Sequence, residues 1–251
     1  MSASSRHDKD RARFADWARH ARESGETPAI PAATVVLLRD SADGIETIML
    51  RKNSKIAFGG MWVFPGGRID DADRAGLTPD DDLGAAAVAA AREAHEEAAL
   101  VVDTAGLVLV AHWIPPPIAP KRYATWFFAA RAGAEEQVID DGEIVEGEWM
   151  TVDRALGRHH EGEIELAPPT WVTLHTIGSF ADVDHALRVL DERPARHHAT
   201  RIATTGEGPV ALWEGDAGYE SSDPAARGAR HRLEMFESGY RYLDTNSPTT
   251  S

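Results

Sequence analysis

Between Leu83 and Leu100 the chain is alanine-rich, with no proline and no glycine beyond Gly84, and that composition commits the segment to a long helix. Its last turns, residues 92–100, read REAHEEAAL. At about 100° per residue, Glu93, Glu96 and Glu97 fall within an arc of about 100° on one helix face. Three carboxylates so placed repel one another unless a cation sits among them. Hard oxygen donors in that number suit Mg²⁺ or Mn²⁺, ions that also bind phosphate oxygens. The spacing alone leaves a second reading open, a solvated acidic helix face.

The surroundings of this helix mix strands and helices without a βαβ rhythm, which predicts an α+β chain rather than a doubly wound sheet. Residues 32–38 (AATVVLL) and 46–50 (ETIML) read as strands joined by a turn at 41–44. Residues 58–67 (FGGMWVFPGG) are Gly-rich and aromatic, with a short strand at 62–64, and residues 68–82 read as an acidic loop. The glycines Gly66 and Gly67 can turn sharply and let backbone approach a ligand. Beyond the helix, residues 107–113, 123–130, 148–150 and 210–213 read as strands, and 152–156, 168–174 and 181–190 as helices. The remainder of the tail reads as turn-rich. The adjacent histidines at 159–160 and 197–198 would point apart on helices, which argues against a zinc pair.

Composition narrows the function. With 251 residues, 43% of them hydrophobic, the chain can bury one sizeable core with an elaboration. A formal net charge of −15 argues against nucleic acid or an anionic membrane as partner, because phosphate attraction needs exposed Lys and Arg. A small phosphorylated substrate stays open, since a divalent cation inverts the field of an acidic site. The absence of cysteine removes thiolate nucleophiles and Cys-based zinc sites. With no apolar leader and no run of about 20 apolar residues, the expected location is the cytoplasm.

Gly67 together with Arg92, Glu93, Glu96 and Glu97 resembles the Nudix box, G-x5-E-x7-R-E-U-x-E-E-x-G-U. Counting from Gly67, Asp73 takes the place of the first glutamate. The interval from there to Arg92 is longer than the family's by eleven residues, an insertion around 74–84. Ala99 stands where the family has its last glycine, and Leu100 fits the final apolar position. The resemblance implies an α/β/α sandwich with a mixed sheet, Mg²⁺ or Mn²⁺ held by Glu93, Glu96 and Glu97, and Arg92 bracing a glutamate. It further implies attack of water on a diphosphate, with Glu96, Glu97 and Arg92 as catalytic residues. The general base varies in the family; Asp141, Glu143 and Glu146 lie in the acidic loop where it often falls, and Glu143 is the candidate. The matching domain is expected at 28–180, after a flexible or helical leader at 1–27. A C-terminal elaboration is expected at 181–245, and a disordered tail at 246–251.

Three features resemble the coenzyme-A and acyl-coenzyme-A diphosphatases of that family: the extended box, the REAHEEA core, and residues 121–128 (KRYATWFF) following Trp113. That resemblance implies a nucleotide-type small molecule as substrate. Arg51, Lys52, Lys121 and Arg122 are the cations available to a 3′-phosphate or the diphosphate, with Gly66 and Gly67 beside them as backbone contacts; ordinary surface cations are the alternative. A dinucleotide or nucleotide sugar is the second reading of substrate. A catalytically silent nucleotide-binding domain is the third, against which the intact glutamate trio speaks. Exposed sheet edges make a homodimer possible.

Overall fold

The computed structural model describes residues 6–53, 59–134, 137–139 and 143–245. The expected disordered tail, Phe58 and Asp141 lie outside these. In chain order the elements are helix α1 (Arg6–Ser24), strands β1 (Ala29–Ser41), β2 (Gly44–Lys52), β3 (Trp62–Val63) and β4 (Gly66–Arg68), then helix α2 (Asp82–Ala98). Strands β5 (Val108–Ile114), β6 (Arg122–Arg131) and β7 (Ile144–Thr151) follow, then helices α3 (Val152–His160), α4 (Pro168–Ile177) and α5 (Val183–Glu192). Strands β8 (Arg196–Ala199), β9 (Arg201–Thr204), β10 (Pro209–Leu212), β11 (His231–Phe236) and β12 (Gly239–Asp244) complete the chain. No described helix is long and apolar enough to cross a membrane.

The chain divides into two compact units that interleave in sequence. Residues 31–112 and 125–196 form one; residues 1–30, 113–124 and 197–251 form the other. The first contains a mixed sheet in the order β3-β2-β1-β6-β5, with β4 paired to β1 and β7 paired to β2. Strand β1 is apolar without alternation because both its faces are covered. Ala33, Val35 and Leu37 pack with Ile48, Leu50, Phe128 and the alanines of α2, while α3 lies against β2 and β7 and packs on α4. The small alanine side chains let α2 sit close to the sheet, which brings its carboxylate face to the loop between β3 and β4.

The second unit holds α1, β8 beside the end of β5, and a four-stranded antiparallel sheet, β12-β11-β10-β9. Trp113, His198, Trp213 and His231 stack and edge together in its interior. The sequence reading of a turn-rich tail is corrected here, since β11 and β12 form a hairpin. The apolar alternation was hidden because β11 buries charge. Arg232 is paired with Asp216, and Glu234 with Arg241 directly opposite on β12. His197 and His198 also lie on a strand, not a helix, and strand alternation exposes the first and buries the second. Residues 68–82 are more ordered than a loop: they begin with the end of β4 and include a 3-10 turn at Asp71–Arg74.

Candidate active site

The site is built by α2 and the turn that precedes β4. Pairing of β4 with β1 places Gly66 opposite Thr34 and Gly67 opposite Ala33. A side chain at Gly66 would collide with the Ala33 carbonyl and the Thr34 side chain, and one at Gly67 with the Glu93 carboxylate. At Gly66 the approach of the β1 backbone requires glycine, while at Gly67 the neighbour is the end of the Glu93 side chain. The buried Thr34 hydroxyl donates to the Pro65 carbonyl and pins the same turn.

Glu97 is the most enclosed of the three glutamates. Its carboxylate accepts the Gly66 N–H at 3.0 Å and the Lys52 ammonium at 2.6 Å. Burial raises its pKa above the usual glutamate range, a rise the Lys52 charge and the two hydrogen bonds only partly offset. Glu93 is raised as well, first by burial, with Arg92 and Lys52 acting against it. For Lys52 burial favours the neutral form, yet Glu97, Glu143 and Glu93 outweigh it and the ammonium is stabilised. Glu96 is exposed.

Arg92 organises the other two. Its Nη1 donates to Glu93 Oε1 at 3.0 Å and Glu96 Oε2 at 2.9 Å, and its Nη2 donates to the Arg68 carbonyl at 3.0 Å. Asp73, 2% exposed, takes Nε and Nη2 of the same guanidinium and the Asp70 N–H. The aspartate at the box's first acidic position is therefore the anchor of the arginine. The insertion between them is compact where it meets α2: Asp81 caps the helix through the Gly84 N–H at 2.8 Å, and Arg74 pairs with Asp82. Ala99, at the box's last glycine position, adopts φ 55° and ψ 25° and closes α2 with a left-handed cap.

The predicted cations disperse. Lys52 is in the site. Arg51, next to it on β2, pairs with Glu146 of β7 at 2.9 Å, both side chains exposed. Glu143 is 65% exposed, with an oxygen 3.7 Å from Lys52 Nζ. Lys121 is exposed, its ammonium 5.3 Å from the Tyr123 ring centre. Arg122 is buried, donating to the carbonyls of Pro115 and Thr27 and to Glu26. Lys121 and Arg122 belong to the second unit, the others to the first. The Lys52–Glu97 pairing was not legible from sequence, because 45 residues separate the partners and neither strand nor helix periodicity links them.

Among the described residues no three acidic or histidine side chains stand as a ready cage around one point. Lys52 and Arg92 occupy the carboxylates instead. The donor chemistry still fits a hard divalent cation. Glu97 lies on the Gly66 N–H and Glu93 in the space a Gly67 side chain would take, and the ammonium seated on Glu97 marks a place for positive charge.

A NUDIX domain family profile matches residues 28–170. The chain belongs to the Nudix family. It is accordingly a hydrolase that acts on pyrophosphate bonds, and Nudix hydrolases in general use divalent metal ions. Among solved structures, a Nudix hydrolase from Alicyclobacillus acidocaldarius is 24% identical with a TM-score of 0.60, covering 67% of this chain and 99% of that one. A MutT Nudix hydrolase from Burkholderia pseudomallei is 16% identical with a TM-score of 0.45, covering 59% and 98%. An Ap4A hydrolase of C. elegans in a binary complex is 20% identical with a TM-score of 0.41, covering 61% and 97%. No curated protein matches the chain.

Proposed function

We propose that Glu93, Glu96 and Glu97 hold Mg²⁺ or Mn²⁺ and that the protein cleaves the diphosphate of a nucleotide derivative, with coenzyme A or acyl-coenzyme A as substrate. The observation that carries the cation site is the seating of Glu97 and Glu93 against the Gly66–Gly67 backbone, with basic side chains already drawn onto them. A divalent cation bound there neutralises diphosphate charge and makes a water more acidic. Arg92 keeps Glu93 and Glu96 oriented. Glu143, exposed and beside Lys52, is the proposed general base: it takes a proton as the water oxygen bonds to phosphorus and the bridging P–O bond breaks.

The coenzyme-A reading rests on the extended box and on residues 121–128. It requires a cation for the 3′-phosphate. Arg51 is the best placed, since an exposed ion pair such as Arg51–Glu146 is worth less than about 1 kcal/mol and can yield to a phosphate. Arg122, enclosed and fully engaged, is a poorer candidate. The test compares coenzyme A with its 3′-dephospho form, with products identified by mass, in the natural protein and in Arg51→Ala. A charge-assisted phosphate contact gives roughly ten- to a hundredfold discrimination, which shrinks in the variant. Equal rates on both compounds in the natural protein would transfer the assignment to another nucleoside diphosphate derivative, such as a dinucleotide or nucleotide sugar. No cleavage of any of them with either metal would leave a nucleotide-binding role.

A further inference from the structure

Lys52 ends strand β2 with its side chain enclosed and 11% exposed, an unusual situation for a lysine. Among the described residues three oxygens surround its ammonium: Glu97 Oε1 at 2.6 Å, the Gly66 carbonyl at 3.4 Å and Glu143 Oε2 at 3.7 Å. The first belongs to the carboxylate that the proposed cation site cannot do without. The last belongs to an exposed side chain outside α2. An ammonium and a divalent cation on one carboxylate repel each other at close range and compete for its lone pairs, so the binding of one weakens the binding of the other. Lysine suits exchange between such positions, being a compact point charge on a flexible four-carbon stem where arginine is a rigid fork.

We propose that Lys52 is the resident counter-cation of the active site: its ammonium holds Glu97 while no divalent cation is present, and gives that carboxylate up when one binds. The proposal rests on the assignment of Glu97 as a metal ligand. It explains how a carboxylate 5% exposed keeps its charge before a metal binds, since a buried carboxylate is kept in place only when paired. With Arg92 on Glu93 and Glu96, it gives each of the three glutamates a cationic partner. The consequence is quantitative. Every binding event includes the displacement of an ion pair, so Lys52 lowers metal affinity and makes the site reversible.

The test measures Mn²⁺ affinity by calorimetry and by the electron paramagnetic resonance signal of the free ion, in the full chain and in Lys52→Met, Lys52→Gln and Glu97→Gln. Methionine preserves the stem's volume without the charge, and glutamine keeps a hydrogen bond to Glu97, so a folding defect in one leaves the other to report. Both should bind Mn²⁺ about tenfold more tightly than the natural protein, the scale of one charge-assisted hydrogen bond. Unchanged or weaker binding in the folded variants would overturn the proposal. Carbon-13 spectra of the lysine Cε groups give a second readout that needs no variant protein beyond assignment. The resonance missing in Lys52→Met should shift on addition of diamagnetic Mg²⁺, and a resonance unmoved at saturation would overturn the exchange. Glu97→Gln separates the cation site from the counter-cation role. If it binds Mn²⁺ as the natural protein does, the cation site itself falls. If it binds weakly while the Lys52 variants gain nothing, the counter-cation role alone falls.

Discussion

Arg92 and Asp73 meet side-on, Nε donating to Oδ1 at 2.9 Å and Nη2 to Oδ2 at 3.0 Å, so two planar groups lock each other across a sequence separation of 19. Burial works against the Asp73 charge, but the Arg92 and Asp70 hydrogen bonds outweigh it and hold the carboxyl below the usual aspartate range. Asp73→Asn keeps the size and turns one acceptor into a donor that faces a donor. The expected result is a fall in kcat of about ten- to a hundredfold with KM little changed, because Arg92 loses its hold on Glu93 and Glu96. Stability should fall by about 2–3 kcal/mol, below the range for fully buried pairs because Arg92 is partly exposed. Steady-state kinetics and urea unfolding check both parts; natural kcat in the variant would remove Asp73 from the positioning role.

Glu97→Gln should lower hydrolysis by orders of magnitude at saturating Mg²⁺, as the loss of a proposed hard-cation ligand demands. Its effect on the metal-free protein is informative in sign. Three repelling glutamates, considered alone, would be relieved by losing a charge. The structure gives Glu97 an ammonium partner, so neutralising it strands Lys52; this loss opposes the relief of the burial that raises the Glu97 pKa, and a net cost of about 1–3 kcal/mol is expected because the ammonium left behind is itself enclosed. Thermal unfolding in chelator decides between the two signs.

Ala99 holds a left-handed conformation, and the N–H groups of Ala99 and Leu100 return to the carbonyls of His95 and Ala94 in the pattern that ends many helices at glycine. An L-residue there is strained by about 1–2 kcal/mol, partly offset by the greater freedom glycine has in the unfolded chain. Ala99→Gly should therefore raise the unfolding free energy by about 0.5–1 kcal/mol and leave kcat unchanged. A lower denaturation midpoint in this variant would show that the cap tolerates the alanine methyl without strain.

In the second unit Asp216 accepts both Nε and Nη2 of Arg232 at 2.7 Å, together with the N–H groups of Gly218 and His231. Burial penalises this carboxylate, yet Arg232 and the backbone donors carry its pKa below the usual range. The folded value lies below the unfolded one, near 3.9, so the stabilisation is complete above about pH 4 and is lost as pH falls through the lower folded value. Asp216→Asn leaves a buried guanidinium unpaired and should cost about 3–5 kcal/mol at neutral pH. Below the folded pKa the gap between variant and natural protein should narrow. Denaturant midpoints at neutral and acid pH measure it, and a gap that widens on acidification would contradict the assignment.

The glutamates of α2 were legible because a helix converts spacing into direction: residues three and four apart share a face whatever else the fold does. The strands β1 and β2 were legible as apolar runs. The hairpin of β11 and β12 was not, since His231, Arg232 and Glu234 read as surface residues until Asp216 and Arg241 are seen opposite them. Among the candidate cations, sequence placed Arg51, Lys52, Lys121 and Arg122 on an equal footing. Burial and partners separated them, sending Arg122 into an interior network and Lys52 onto Glu97.

The sequence by itself determined the family and its chemistry, because the spacing of Gly67, Arg92, Glu93, Glu96 and Glu97 is a property of one turn and one helix, and local geometry follows from local order. It also marked Asp73 and Ala99 as substitutions within that pattern. What each of them does was decided by tertiary structure. Asp73 anchors Arg92 only because the insertion folds back to the start of α2, and Lys52 meets Glu97 only because sheet pairing sets the end of β2 beside the glycine turn. Such contacts depend on distances between elements, and those are fixed by packing of alanines, strands and caps that no single stretch of sequence contains.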